Sequence, residues 1–486
     1  MASLLTLPPE LIPHILSHLP LPSLSRFSRT SSYFHALSLP LLFRHLRLSF
    51  AIPNDPEDPT EEEREESERQ KELIKQTLRM LAEKEERCGM IRLMEVWNYG
   101  HWLGEEEAGS LEKVVKQSKG MWEVRLLQDD DGAPFDPLLT PLAHFGPIWS
   151  ALQSLPSLTK LRTSYGPNVL LRFDSFPALT EVDMAMYYVD LKGDGAMSEG
   201  LKRLRLEYVQ GFEAQVHEGP ESAMAWIKPA VFERLESLTL VDMSTEAALA
   251  VARAVEAYTA LPSSPPSSLT NLSLTLFDLA FPISYTHAVP TILTLLRSFA
   301  ALKSVQYLSL GSSPHPLAFA VDEVGKKDSG DPVGLMKVIS EGYRETLRGL
   351  AFFVGESPAN FVFVNNEAVF SDFRALLSKL KHLTTFQTNL LLLFPSNPSL
   401  TIARADLRHT PPDCPYALRL FTTDTDWKPA FERLKVETER MYREVLPGGK
   451  DGRGWVEVGG VKRGEKAKGR EGCWELPEEE IRGETV

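Results

Sequence analysis

The chain has 486 residues, 43% of them hydrophobic and 24% charged, and a formal charge of -14. That length exceeds one ordinary domain and the composition is that of a globular protein with a large core. The acidic balance excludes bulk nucleic acid and anionic membranes as partners, since both need a basic face.

The first zone, residues 1–50, is rich in Leu, Pro and Ser. It lacks the basic n-region and the unbroken apolar run of a secretory signal. Pro8 and Pro9 suit an extended entry to a helix, and Leu11, Ile15, Leu16 and Leu19 form an apolar stripe at helical spacing. Pro13 delays or bends the first turn. Pro20 and Pro22 end the helix, and Ser23 is placed to cap a second one with Leu24 and Phe27 on its apolar side. A third helix starts at "SSYFHAL", and Pro40 opens a short turn after it. Helices this short bury little by themselves, so the block leans on a partner or on the rest of the chain. His14 and His18 stand at i, i+4, but no third ligand accompanies them, so they read as polar surface positions.

The second zone, residues 51–90, opens as a Pro/Asp turn. Thr60 with Glu63 predicts a capping box, and the early Glu residues suit the positive end of a helix. Ile74, Leu78 and Leu81 form one late apolar stripe. The spacing predicts a solvated spacer helix that docks only by its C-terminal half.

The third zone, residues 91–445, carries a loose repeat: "LTKLRTS" from Leu158, "LTEVDMA" from Leu179, "LKRLRLE" from Leu201 and "LESLTLV" from Leu235. "LTNLSLT" from Leu269, "VQYLSLG" from Val305 and "LRGLAFF" from Leu347 continue it. Each is LxxLxL or close to it, the signature of stacked strand-plus-helix units. Apolar segments such as Thr245–Tyr258 and Val289–Leu302 intervene as helices. Strand, helix, strand predicts parallel strands with helices outside. The fold class expected is therefore α/β, a helical block followed by an irregular leucine-rich-repeat-like solenoid. The leucines face the core. The residues flanking them, Lys160, Arg162, Glu181, Asp183, Arg203, Arg205 and Glu207, face the other way. Ser237, Thr239, Asn271, Ser273, Thr275, Tyr307 and Ser309 make the later part of that face neutral and polar. Arg162, Arg203, Arg205 and Glu207 are candidate substrate-binding residues, because guanidinium pairs suit carboxylate or phosphate. The competing reading is a lattice of Arg–Glu pairs that keeps the face soluble.

The fourth zone, residues 446–486, is dense in Gly and charge and thin in apolar residues, which predicts a flexible tail with a short docked piece at Trp455 or Trp474. Three cysteines, Cys88, Cys414 and Cys473, form no CxxC pair, which suits a cytoplasmic or nuclear setting. The run Leu390–Phe394 is too short to span a bilayer.

No motif for catalysis emerges. There is no GxxxxGK[ST] loop and no GxGxxG opening a helix. "GAMSEG" around Ser198 misses the nucleophile elbow by one residue. "DDDG", Asp129 to Gly132, lacks the alternating ligands of a calcium loop. No cofactor and no metal is expected.

The first zone resembles an F-box. The pattern Leu-Pro-x-Glu, an apolar pair, Ile-Leu-x-x-Leu-Pro and x-x-x-Leu-x-x-Phe is supplied by Leu7, Pro8, Glu10, Leu11, Ile12, Ile15, Leu16, Leu19, Pro20, Leu24 and Phe27. Thr30, Ser31 and Phe34 fit later positions. The resemblance implies docking of these residues on the S-phase kinase-associated adaptor protein and, through it, on a cullin. Many members of that family, fungal ones especially, place irregular leucine-rich repeats after the box, and the resemblance implies that the repeat domain holds a protein substrate. The Asn usual at the ninth repeat position is replaced by Tyr187, Val209, Met243 and Phe277. The implied function is a non-catalytic substrate receptor of a ubiquitin ligase. The alternatives are an interaction scaffold outside any ligase, and an enzyme with a helical appendage.

Overall fold

The computed structural model describes residues 8, 11–52, 59–127, 145–164, 176–185, 200–207, 228–241, 245–262, 265–276, 288–312, 332–352, 362–364, 373–388, 390–392, 436, 438–446 and 455–458. Leu7, Glu10, Asp129 to Gly132, Ser198, Tyr187, Val209, Met243, Phe277, Cys414, Cys473, Trp474 and most of the fourth zone lie outside them. The chain divides into two compact units, Met1–Leu206 with Phe212–Trp226, and Glu207–Gly211 with Ile227–Val486.

The first unit opens with three helices, α1 (Leu11–Ser17), α2 (Leu21–Ser28) and α3 (Ser32–Leu42). Pro13 sits in the first turn of α1, where backbone N–H groups have no intrahelical partner, so the helix tolerates it. α2 begins before Ser23: Pro20 takes the cap position and Pro22 the first turn, so Ser23 is already helical. Ser31 caps α3 by accepting from the Phe34 N–H at 3.1 Å. Pro40 lies inside the last turn of α3 rather than starting a new one. Ile12, Leu16 and Leu24 form the core of this block, with Leu19, Phe27, Phe34, Leu37, Leu41 and Leu42 packed against it.

Straight after α3 the chain enters a strand, β1 (His45–Leu48), then α4 (Glu61–Ala82), α5 (Glu85–Cys88) and β2 (Leu93–Trp97). β1 pairs parallel with β2, Leu46 opposite Met94 and Leu48 opposite Val96. Thus α4 is the crossover helix of a repeat. Its capping box at Thr60 and Glu63 is formed, and its buried side chains are Ile74, Leu78 and Leu81. All three lie in its second half, as the stripe predicts, and the first half makes an exposed contact in which the Gln70 side chain accepts from the Ala51 N–H at 2.9 Å. There follow α6 (Glu105–Gln117), β3 (Glu123–Leu127), α7 (Phe145–Gln153), β4 (Lys160–Ser164), β5 (Glu181–Ala185) and β6 (Arg203–Glu207). Strand order follows chain order from β1 to β6.

The strands start alike. Two successive N–H groups converge on one carbonyl of the preceding strand segment: Arg92 and Leu93 on Arg44, Trp122 and Glu123 on Arg92, and Thr159 and Lys160 on Trp122. Thr180 and Glu181 on Thr159, and Lys202 and Arg203 on Thr180, complete the series. The core ladder repeats with it. Ile91, Met94 and Val96, then Met121, Val124 and Leu126, then Leu179, Val182 and Met184, then Leu201, Leu204 and Leu206 are all buried. β4 departs from it with Leu158, Leu161 and the buried Thr163.

The second unit continues the pattern with β7 (Ser237–Val241), α8 (Thr245–Ala260), β8 (Asn271–Leu276), α9 (Ala288–Ala301), β9 (Tyr307–Ser312), α10 (Pro332–Gly342) and β10 (Gly349–Phe352). β11 (Val362–Val364) and β13 (Leu390–Leu392) form a separate parallel pair. β12 (Thr385–Thr388) lies between β10 and β14 (Trp455–Val458), again parallel. Leu238 pairs with Leu272 and Leu272 with Leu308, and Leu240, Leu274 and Leu310 do the same two residues on. All six are buried, as are Leu204 and Leu206 in the first unit, which is the parallel-strand solenoid the LxL pattern predicts. Trp455 lies in β14, which is the docked piece of the fourth zone.

Candidate interaction faces

The helical block buries one face and leaves another open. Ile12, Leu16 and Leu24 are no more than 2% exposed, whereas Leu11 is 47%, Ile15 37% and Leu21 55% exposed. Leu11 and Ile15 are one helical turn apart, so both stand on one side of α1. Pro8 and Pro20 are exposed too. Leu19 and Phe27 are half-buried against the block's core, Phe27 with its ring 4.4 Å from that of Phe34. The sequence-predicted residues therefore separate. Pro8, Leu11, Ile15 and Pro20 are available to a partner, while Leu16 and Leu24 hold the helices together. His14 of α1 and His18 just after it stack edge to face, 4.9 Å between centroids, both exposed.

From Leu11 to Phe50 there is no Asp or Glu, against Arg26, Arg29, Arg44 and Arg47.

The second face is the side of β1 to β6 away from the core. Arg47 and His45 reach Glu95 at 3.4 and 3.6 Å, and Arg125 reaches it at 3.6 Å from the other side. Trp97 donates its indole N–H to the same carboxylate at 2.5 Å. Arg125 also donates to Glu123 at 2.6 Å. Farther along, Lys160 and Arg203 hold Glu181, the latter through Nε at 2.8 Å. Arg162 and Arg205 hold Asp183 at 3.5 and 3.3 Å. The structure thus brings Arg162, Arg203 and Arg205 together, each on a carboxylate of β5. Arg205 is largely buried, so of the three it offers least to an incoming group. Glu207 is half-buried at the end of β6.

Glu95, Glu123 and Arg125 of this face escaped the sequence pattern, as did His45, Arg47 and Trp97 beside them. β2 and β3 use Met and Val where later repeats use Leu, so an LxL search passes over them. The signal that remains is an apolar residue at i, i+3 and i+5, as at Ile91, Met94 and Val96. In the second unit the equivalent face carries Ser237, Thr239, Asn271, Ser273, Tyr307 and Ser309, neutral and polar as the sequence indicates.

Among the described residues, Cys88 is the one cysteine. It is buried, its thiol donating to the Leu81 carbonyl at 3.2 Å, and burial pushes its pKa up to about 11. A thiol so placed is a poor nucleophile. Among the described residues no helix is long and apolar enough to cross a membrane.

No curated protein matches the chain. Residues 4–49 match the family model of the F-box-like domain, which spans α1 to α3 and β1. Domains of this kind work through protein interaction, in agreement with an exposed apolar face over a complete core. The chain carries an N-terminal F-box-like domain, followed by parallel-strand α/β repeats.

Proposed function

We propose that this chain is the substrate receptor of a cullin-based ubiquitin ligase. Its helical block docks on the S-phase kinase-associated adaptor protein, which joins it to a cullin. The open strand face holds a protein substrate. The observation that carries this reading is the exposed Leu11 and Ile15 pair on a block whose own core is filled by Ile12, Leu16 and Leu24. An apolar face of that kind is energetically useful only when a partner covers it.

In this reading Pro8, Leu11, Ile15 and Pro20 touch the adaptor together with Leu7 and Glu10. Leu16, Leu19, Leu24 and Phe27 set the angle between α1 and α2 that presents them. Arg162, Arg203, Arg205 and Glu207 belong to the substrate face. The receptor supplies effective concentration and orientation, so it needs no catalytic residue. Its place of action is the cytoplasm or nucleus.

The test is co-purification of the tagged chain from cells with the proteasome blocked. Stoichiometric adaptor and cullin are expected with ubiquitin-bearing proteins that disappear when residues 1–50 are deleted. Recovery of partner proteins without adaptor or cullin would make the chain an interaction scaffold instead.

A further inference from the structure

We propose that the open face of the first unit takes an acidic side chain of a partner protein and seats its carboxylate between Arg125 and Arg162; this rests on the receptor reading and names the chemistry of its substrate. The register puts Arg47, Glu95, Arg125, Arg162 and Asp183 in one row across β1 to β5. Arg205 of β6 joins the row through Asp183. The row builds one arrangement twice. Glu95 lies between Arg47 and Arg125, and Asp183 lies between Arg162 and Arg205. Each is a carboxylate held by two guanidiniums.

Where the two arrangements meet, Arg125 stands directly opposite Arg162. Paired strands are about 4.8 Å apart, and like charges opposite one another repel. Lys160 adds a third cation beside them, held over the Trp122 ring at 5.6 Å and on Glu181 at 3.2 Å. Glu123 takes the Nε edge of Arg125. The row itself still sets four guanidiniums against two carboxylates. One incoming carboxylate between Arg125 and Arg162 completes the alternation of sign with the geometry already built at Glu95 and Asp183.

Both guanidiniums can be reached. The side chains of Arg125 and Arg162 are 35% and 28% exposed, against 9% for Glu95. Along the row alone, Arg47, Arg125, Arg162 and Arg205 outnumber Glu95 and Asp183, which favours an acidic group at its centre. The row's own anions are carboxylates, which is why the fit is to Asp or Glu rather than to the bulkier phosphoryl group.

The experiment measures fluorescence anisotropy of labelled octapeptides on the full chain at low salt: octa-glutamate, octa-glutamine, and a Gly/Ser peptide with one phosphoserine. Octa-glutamate should bind saturably and octa-glutamine should not. Arg162→Gln leaves Asp183 paired with Arg205 and should weaken octa-glutamate about tenfold or more. Arg162→Lys keeps the charge, loses the planar fork and should fall between. Glu95→Gln removes a competing anion and should strengthen binding. Absence of octa-glutamate binding, or equal binding by both Arg162 variants and wild type, overturns the proposal. Tighter binding of the phosphoserine peptide overturns the carboxylate assignment. Adaptor recovery should be the same for all variants, whereas a wild-type chain that recovers no adaptor strikes the receptor reading and leaves the peptide result standing.

Discussion

The Asn98 side-chain amide donates to the Phe50 carbonyl at 2.7 Å, tying the turn after β2 to the chain just past β1. Asn98 is 1% exposed and has a left-handed backbone, φ 52°. Its own N–H donates onward to the Leu127 carbonyl at 2.8 Å, at the end of β3. One residue thus links three successive strand ends.

Asn98→Ala should therefore cost about 2 to 4 kcal/mol, combining a left-handed alanine with a buried carbonyl that loses a donor. Asn98→Gly should cost less, because glycine accepts the backbone conformation. Urea unfolding of the first transition measures both. Equal losses would show that the side-chain bond, and not the backbone, dominates.

The helical block separates docking from folding. Leu11→Asp with Ile15→Asp should abolish adaptor recovery with little change in melting temperature, since both side chains are exposed. An anchor of this kind contributes about 2 kcal/mol or more to an interface. Leu16→Ala, in the core, should instead lower stability by about 2 to 5 kcal/mol. Pull-down and thermal melting on the same three proteins distinguish the effects.

Thr163 occupies a core position of β4 with its hydroxyl buried and without a hydrogen-bond partner among the described residues. Valine has the same shape and no hydroxyl. Thr163→Val should raise stability by about 1 kcal/mol, the cost of an unsatisfied buried group. A loss on urea unfolding would mean that the hydroxyl is satisfied after all.

Glu106 bridges two helices, accepting from Lys75 at 2.8 Å on α4 and from Arg79. The hydrogen bonds from Lys75 and Arg79 lower its pKa from 4.5 to about 2. A depressed carboxylate stabilises the folded state fully above its ordinary value, and that contribution is lost as pH falls through about 2. Wild type should thus be more stable than Glu106→Gln near neutral pH. The gap should shrink below pH 4.5 and close near pH 2. Paired melting curves across that range check the sign, and salt should narrow the neutral gap because the pair is exposed.

Much of the sheet was legible because leucines at i, i+3 and i+5 are a local pattern. Leu235, Leu238 and Leu240, or Leu269, Leu272 and Leu274, announce their strands without any tertiary information. β1 was hidden inside the helical block: "HLRL" is only four residues, and its partner Leu93 lies beyond a long helix. That pairing also changes the meaning of α4, since a crossover helix is defined by the strands it joins. The apolar stripe of α1 was readable, but which of its residues turn inward was not. Leu11, Ile15 and Leu16 have the same chemistry and adjacent positions, and only packing against α2 and α3 sorts them. The charged face was legible residue by residue at Arg162, Arg203 and Arg205. Its alternation of sign arises from register between strands tens of residues apart.

The parallel pairing of β1 with β2 joins the helical block directly to the strands that follow. Arg92 and Leu93 both donate to the Arg44 carbonyl, and the Arg87 guanidinium lies 5.2 Å over the Phe43 ring. In a ligase, such a joint would act as a ruler. A substrate gripped on the first unit would be carried at a set distance and angle from the adaptor. Which of its lysines receives ubiquitin would then be decided by reach rather than by the sequence around the lysine. Lengthening the chain between Phe43 and His45 by a few flexible residues would blur that choice and spread modification over more lysines.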